Sequence, residues 1–466
     1  MIFRRGRWTP LESAQQALAQ GQYELALSML ETAARKAARQ GQGQAWLQLA
    51  ALYALYGEEG IENGLPALRA AVAADANLVN HPLYRALFWE FAAYRGGSIG
   101  DVKRGLKDVT EADPVAAYHA ASALFAVDAP KSASRRLLAI DEAKLPAYLH
   151  WRRWSLLGQC REAMGEWEGA AEAFARAVDT APPAEREPER LSLAGALVEL
   201  GRTEEALACL AEVDESLLRP EELTVHRYLQ GRAHLELGNP NKALELLTEA
   251  HALGGEGSEP SYSVAFATAQ ALTSLGRFRE AKEWFARALA LAPAEHRAYT
   301  QHEAAYALIE CDELGEAEAL LTEVVSDPSY PHRGDALADL ADVRLRYGDL
   351  EGAQHAAEQA LELGATAAAC LTLGNIAYEY YNLEEAVSWF EQAVSSSQPG
   401  DPYWVSAHQM LADVYAQMGE AHAAKVLMHA KAALEYTEPS SEWHLPLTQY
   451  VEEARAALGG HDRLLN

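Results

Sequence analysis

The sequence predicts an all-α protein: an open array of about twelve antiparallel helix pairs ending in one C-terminal capping helix. Three observations carry this. Apolar and small residues recur at fixed offsets along most of the chain. Alanine, leucine and glutamate dominate, and all three lose little entropy in a helix. Glycine and proline stand at matching places in successive segments, where helices must stop and turn.

The pattern is clearest between Trp154 and Pro182, where Trp154, Leu157 and Gly158 are followed by Gly165, Trp167, Ala170, Phe174, Ala177 and Pro182. This reads as a helix, a tight turn, a second helix and a proline stop. Gly158 and Ala170 let two antiparallel helices approach, while Trp154, Leu157, Phe174 and Val178 fill the seam beside them. The alanine equivalent to Ala170 returns at Ala206, Ala243, Ala281, Ala317, Ala353, Ala386 and Ala424, in steps of 36, 37, 38, 36, 36, 33 and 38 residues. Gly165, Gly201, Gly238, Gly276, Gly348 and Gly419 fall at the turn inside a pair, where positive φ is often required. Four stretches rich in Pro, Gly or Ser read as linkers between pairs: APPAEREPE after Thr180, LGGEGSEPS after Ala252, SDPSYPHRGD after Val325 and SSSQPGDP after Val394.

In chain order, Pro10 opens a first helix, and Tyr23 to Ala38 supplies Ala26, Leu30 and Ala33 for its partner, giving an N-terminal pair over 1–40. Residues 41–146 hold divergent repeats. Trp46, Leu49, Ala50 and Tyr53 precede a long turn, GEEGIENG, and then Leu68, Ala71 and Val72. Trp89, Gly97, Val102, Leu106, Val109 and Pro114 keep the spacing of one further unit; Tyr118, Phe125, Ala133 and Leu137 keep that of another. Regular repeats fill 147–437. Within 438–466, the stretch Ser441 to Leu458 is amphipathic without a second partner and reads as the cap.

These offsets resemble the tetratricopeptide repeat, whose signature places Trp, Leu-Gly, an aromatic, Ala, Phe, Ala and Pro in this order. The resemblance implies a right-handed superhelical solenoid in which the first helix of each pair lines the concave side. It also implies work done by binding a protein or peptide there. Eleven residues before the motif alanines other than Ala206 stand Gln159, Arg232, Gln270, Tyr306, Asp342, Asn375 and Asp413; four further on from the last four of these come Glu310, Arg346, Glu379 and Gln417. With Glu303, Asp335 and Asp339 these make a mainly acidic inner face. It is either a groove for a basic or amide-rich extended peptide or a solvated helix face. The carboxylate-binding clamp of some members of the family has no counterpart here beyond Asn375.

With 67 acidic against 39 basic residues, the net charge of -28 opposes direct nucleic-acid binding. The basic exceptions are Arg4, Arg5 and Arg7, and Arg152 with Arg153 between Trp151 and Trp154; the latter pair reads as arginine stems packed over tryptophan rings. Tyr84, Phe88, Trp89, Phe91 and Tyr94, followed by Tyr148, Trp151 and Trp154, make the same region aromatic, as a core, a specialised pocket or a self-association face. Cys160, Cys209, Cys311 and Cys370 are far apart and read as reduced, small apolar residues. No run of about 18 apolar residues and no signal-peptide core is present, which points to a cytoplasmic protein without membrane attachment.

Catalytic signatures are missing: no Gly-rich phosphate loop ending in Lys-Ser or Lys-Thr, no HExxH, no GxSxG. His422 and His429 have a weak metal-ligand spacing and read as surface histidines, so neither metal nor cofactor is expected. The expectation is a non-catalytic scaffold or adaptor. A regulator responsive to a peptide or small ligand, and a self-assembling structural protein, are the alternatives; homo-oligomerisation stays open.

Overall fold

The computed structural model describes residues 10–38, 43–255 and 260–464. The basic residues Arg4, Arg5 and Arg7 and part of LGGEGSEPS lie outside them. Among the described residues there are helices and turns and no strand. The chain divides into two compact units, Met1–Glu259 and Pro260–Asn466.

The first unit contains α1 (Pro10–Ala19), α2 (Tyr23–Ala38), α3 (Gln44–Ala54), α4 (Ile61–Ala74), α5 (Pro82–Tyr94), α6 (Ile99–Gly105), α7 (Pro114–Ala126), α8 (Pro130–Ala139), α9 (His150–Glu162), α10 (Trp167–Thr180), α11 (Pro183–Glu199), α12 (Thr203–Ala211), α13 (Pro220–Glu236) and α14 (Pro240–Ala252). The second contains α15 (Tyr262–Ser274), α16 (Phe278–Leu291), α17 (Ala294–Glu310), α18 (Leu314–Ser326), α19 (Arg333–Tyr347), α20 (Leu350–Glu362), α21 (Thr366–Glu379), α22 (Leu383–Ser395), α23 (Pro402–Gln417), α24 (Ala423–Leu434) and the cap α25 (His444–Leu464). Consecutive helices pair, so α1 to α24 form twelve pairs of a helical-repeat solenoid.

The seam of each pair is built as the spacing predicts. Ala170, Ala206, Ala243, Ala281, Ala317, Ala353 and Ala386 are all fully buried, each at the fourth position of its second helix. Opposite them the first helix must be small. A Cβ at Gly158 would stand 2.5 Å from the Phe174 ring, and one at Gly374 the same distance from Phe390. Those phenylalanines are buried, each adding about 2 to 3 kcal/mol of apolar burial. The divergent pair α5 and α6 uses the same device with other residues, Trp89 filling the space above Gly105.

Three sequence expectations are corrected. Ala424 is exposed and Ala423 takes its place, because a 3-10 turn over Glu420–His422 opens the second helix one residue early. Gly419 there has φ 99° and ψ 177°, whereas Gly165, Gly201, Gly238 and Gly276 cluster at φ 68° to 70°. APPAEREPE is not a linker: α11 begins at Pro183, where the missing N–H is harmless, and runs through Pro188. His429 is no surface residue. It is buried against His408 of α23, with Nδ1 to Nδ1 at 2.8 Å.

At the turns inside three pairs the chain adopts positive φ without glycine, at Asp128, Asp312 and Tyr381. The aromatic region is mostly core: Phe91, Tyr118, Tyr148, Trp151 and Trp154 are buried, and Phe88 is the exposed exception among them. Arg152 lies over the Trp151 ring at 4.2 Å and Arg153 over Trp154 at 4.5 Å, as the sequence suggests. A pair that no sequence pattern announces, Glu90 with His119, is buried between α5 and α7 with Oε2 to Nδ1 at 2.7 Å. The four cysteines are unpaired.

Candidate functional site

Which side of the array is the inside follows from which helices meet. In the second unit α15, α17, α19 and α21 each touch the next first helix and α23 touches the cap α25, while the second helices α16 to α24 make no comparable contact with one another. Elements that crowd together lie on the inside of a bend. The first helices therefore form the inner wall, and their polar face is the candidate site.

Along α17, Tyr299, Glu303, Tyr306 and Glu310 follow helical spacing and share one face. Tyr299 and Tyr306 are exposed, at 38% and 44%. Their rings are braced from behind: Phe266 lies 5.6 Å from Tyr299, and Phe278 lies 6.1 Å from Tyr306. Glu303 sits between them. Burial pushes its carboxyl above the usual range, while His302 and hydrogen bonds from Gln270 and Tyr299 pull the other way. It has no ion-pair partner among the described residues, an unusual state for a half-buried carboxylate.

On α19 the carboxylates are partly engaged. His302 Nε2 lies 3.0 Å from Asp339, and the other ring nitrogen is 2.9 Å from the Tyr330 hydroxyl, so one imidazole ties α17 to α19. Asp342 is paired with Arg346 at 2.8 Å, yet burial still raises its carboxyl. Asp335 is exposed, 3.6 Å from His332. Tyr403, from the start of α23, faces the same carboxylates: its phenol is pushed up to about 12, first by burial and then by Asp339, Asp335 and Asp342. Its 40% exposure leaves a ring edge available. The sequence did not single Tyr403 out, because the curvature that brings α23 opposite α19 has no local signature.

The other predicted residues are placed differently. Asp413 is occupied internally: Tyr378 donates to Oδ2 at 2.5 Å, Tyr450 donates to Oδ1, and Gln417 lies 3.0 Å from Oδ2. It fastens α21 and the cap to α23. Asn375 is half-buried on α21 and Glu379 is exposed at its end. Arg232 belongs to the first unit, where it bridges Glu199 at 2.7 Å and Glu236 at 3.3 Å. Gln270, Glu303, Tyr306, Asp339 and Asp342, with Tyr299 and Tyr403, are thus the part of the expected face that converges. Among the described residues no cluster of three metal-ligating side chains occurs, and no helix is long and apolar enough to cross a membrane.

Fold and wall together define a helical-repeat solenoid protein. Residues 228–296 and 338–402 match the tetratricopeptide repeat family model. Those two segments are tetratricopeptide repeats, a family that generally serves protein–protein interaction and scaffolding. Solved structures that resemble it include the APC/C hetero-tetramer Cut9-Hcn1, with 14% identity, 95% of each chain covered and a TM-score of 0.46. PilF of Pseudomonas aeruginosa shows 18% identity over 49% of this chain and 98% of its own, with a TM-score of 0.39. The type IV pilus biogenesis factor PilW shows 15% identity over 48% and 98%, with a TM-score of 0.39. No curated protein matches the sequence.

Proposed function

We propose that the inner wall of Pro260–Asn466 binds an extended protein segment through its cationic side chains, and that the protein acts as a scaffold without chemistry of its own. The observation that carries this is Glu303: a carboxylate drawn out of water, without a cation of its own, between two exposed tyrosine rings. A lysine or arginine side chain would supply the missing charge to Glu303 and Asp339 and a cation for the faces of Tyr299, Tyr306 and Tyr403. Cytoplasmic location and a partner of basic character belong to the same reading.

The test is a fluorescence-anisotropy titration with a labelled lysine- and arginine-rich peptide, set against a peptide of reversed charge. The basic peptide binds, more weakly as salt rises, and the double change Glu303→Gln with Asp339→Asn weakens it about tenfold or more, as expected for losing charge-assisted contacts. Equal binding of the acidic peptide, or a double variant that binds as well as the parent, would remove this wall from the function.

A further inference from the structure

The first unit holds a cavity of about 520 Å³ that is separate from the wall just described, within the size range of small-molecule sites. It exists because the array bends far enough for its beginning to meet its middle. The α1–α2 turn reaches Pro182, since a Cβ on Gly21 would stand 3.4 Å from that ring, and α1 touches the turn Ala147–Leu149. Tyr23 of α2 then lies under the Arg152 guanidinium of α9, 5.0 Å from the ring centre. Tyr56, Glu59, Glu185 and Pro188 complete the lining together with Arg219 and Glu222.

The charges in this cavity are incompletely matched. Arg219 is satisfied by Glu222, with Nη2 to Oε1 at 2.6 Å. Arg152 is different: its guanidinium stacks on Tyr23 and Trp151 and donates at 3.4 Å to the Tyr148 carbonyl, with no carboxylate partner among the described residues. Glu59 and Glu185 likewise have no cationic partner among the described residues. Arg152 and Glu185 both act on the phenols of Tyr23 and Tyr56, so the unpaired cation and the unpaired anion face the same two rings without touching each other. The buried Tyr23 hydroxyl stands between them, within hydrogen-bonding reach of both Arg152 and Glu185.

A simple anion entering here would meet two carboxylates besides Arg152, and a simple cation would meet Arg152. A molecule carrying both charges satisfies all of them, and its apolar part finds Tyr23, Tyr56, Leu55 and Leu217. We propose that this cavity is a binding site for a small zwitterion of the amino-acid or dipeptide class, held with its carboxylate on Arg152 and its ammonium group on Glu185 and Glu59.

Isothermal titration calorimetry of the intact chain with the dipeptide Ala-Phe tests the site, beside the same dipeptide with acetyl and amide caps. Saturable single-site binding is expected for the free dipeptide and none for the capped one. Arg152→Gln and Glu185→Gln should each weaken binding about tenfold or more, and Glu303→Gln in the other unit should leave it unchanged. Should Arg152→Gln fail to fold because its ring contacts are lost, Glu185→Gln decides by itself, since it breaks no ion pair. Absence of saturable heat with free Ala-Phe, equal binding of the capped dipeptide, or an unaffected Glu185→Gln variant would each overturn the assignment.

Discussion

Acidification should loosen the last repeat, and His429 sets the window. Its Nδ1 meets that of His408 at 2.8 Å, so a single proton lies between two buried rings and a second one has no place. The Trp404 ring closes over His408 at 4.1 Å, and Tyr415, hydrogen-bonded to Glu391 and Lys425, stacks on His429 at 5.7 Å. Burial first, then His408 and Lys425, push His429 down from 6.5 to about 4. In the unfolded chain the ring gains its proton near 6.5, so between there and about 4 the unfolded state holds a proton that the native state lacks. Stability therefore falls as pH falls through that window, by ~2 kcal/mol at about pH 5 and ~3 kcal/mol at about pH 4.

The first unit contains a group of opposite sign. Burial raises the Glu189 carboxyl from 4.5 to about 7, so the native state keeps a proton that the unfolded chain loses. That contribution is full below 4.5 and is lost as pH rises toward 7. A global melting curve mixes the two effects, whereas hydrogen exchange read by mass spectrometry separates them by segment. After correction for the intrinsic pH dependence of exchange, α24 should lose protection between about pH 7 and pH 5. His429→Asn should flatten that loss, and Glu189→Gln should leave it in place. Protection of α24 that is constant or rises on acidification would refute the reasoning about the histidine pair.

Further outcomes follow from the turns, the seams and the thiols. Tyr381 holds φ 61° with its side chain 80% exposed, so Tyr381→Gly should stabilise the protein by about 1 kcal/mol in urea unfolding and Tyr381→Ala should not; a destabilised glycine variant would contradict this. Gly374→Val drives a side chain into Phe390 and should cost ~2 kcal/mol or more, with a neutral result excluding the close approach of α21 and α22. Cys160 and Cys370 are buried, and burial pushes the Cys160 thiol up to about 12. Both should react with a disulfide reagent only on unfolding and later than the partly exposed Cys311; early modification of Cys160 would show that its seam opens.

Much of this architecture is written in local spacing. Ala170, Gly158 and Phe174 can be read as a seam because helical geometry forces residues at such offsets onto one face, and the same reading carries through Ala386. The spacing failed where backbone geometry departs from the common turn, as at Gly419, where a 3-10 start moves the buried alanine to Ala423. It also fails at proline, because Pro183 opens α11 instead of marking a linker. Contacts across the bend left no trace in the sequence: Tyr403 facing Asp339, Tyr23 under Arg152, His408 against His429. Each joins residues from helices that are distant in sequence or whose register depends on the turn between them. The inner-face residues were legible as types, and their pairing was not. Asp413 looked as available as Glu303, and three neighbours occupy it.

The most direct measurement is a hydrogen-exchange footprint of the full chain with and without a saturating lysine- and arginine-rich peptide. Protection should rise along α17 and α19, over Tyr299 to Glu310 and Asp335 to Arg346, and at the start of α23 around Tyr403, with the second helices α16, α18 and α20 unchanged. Protection confined to those second helices, or to the first unit, would contradict a binding wall built on Glu303.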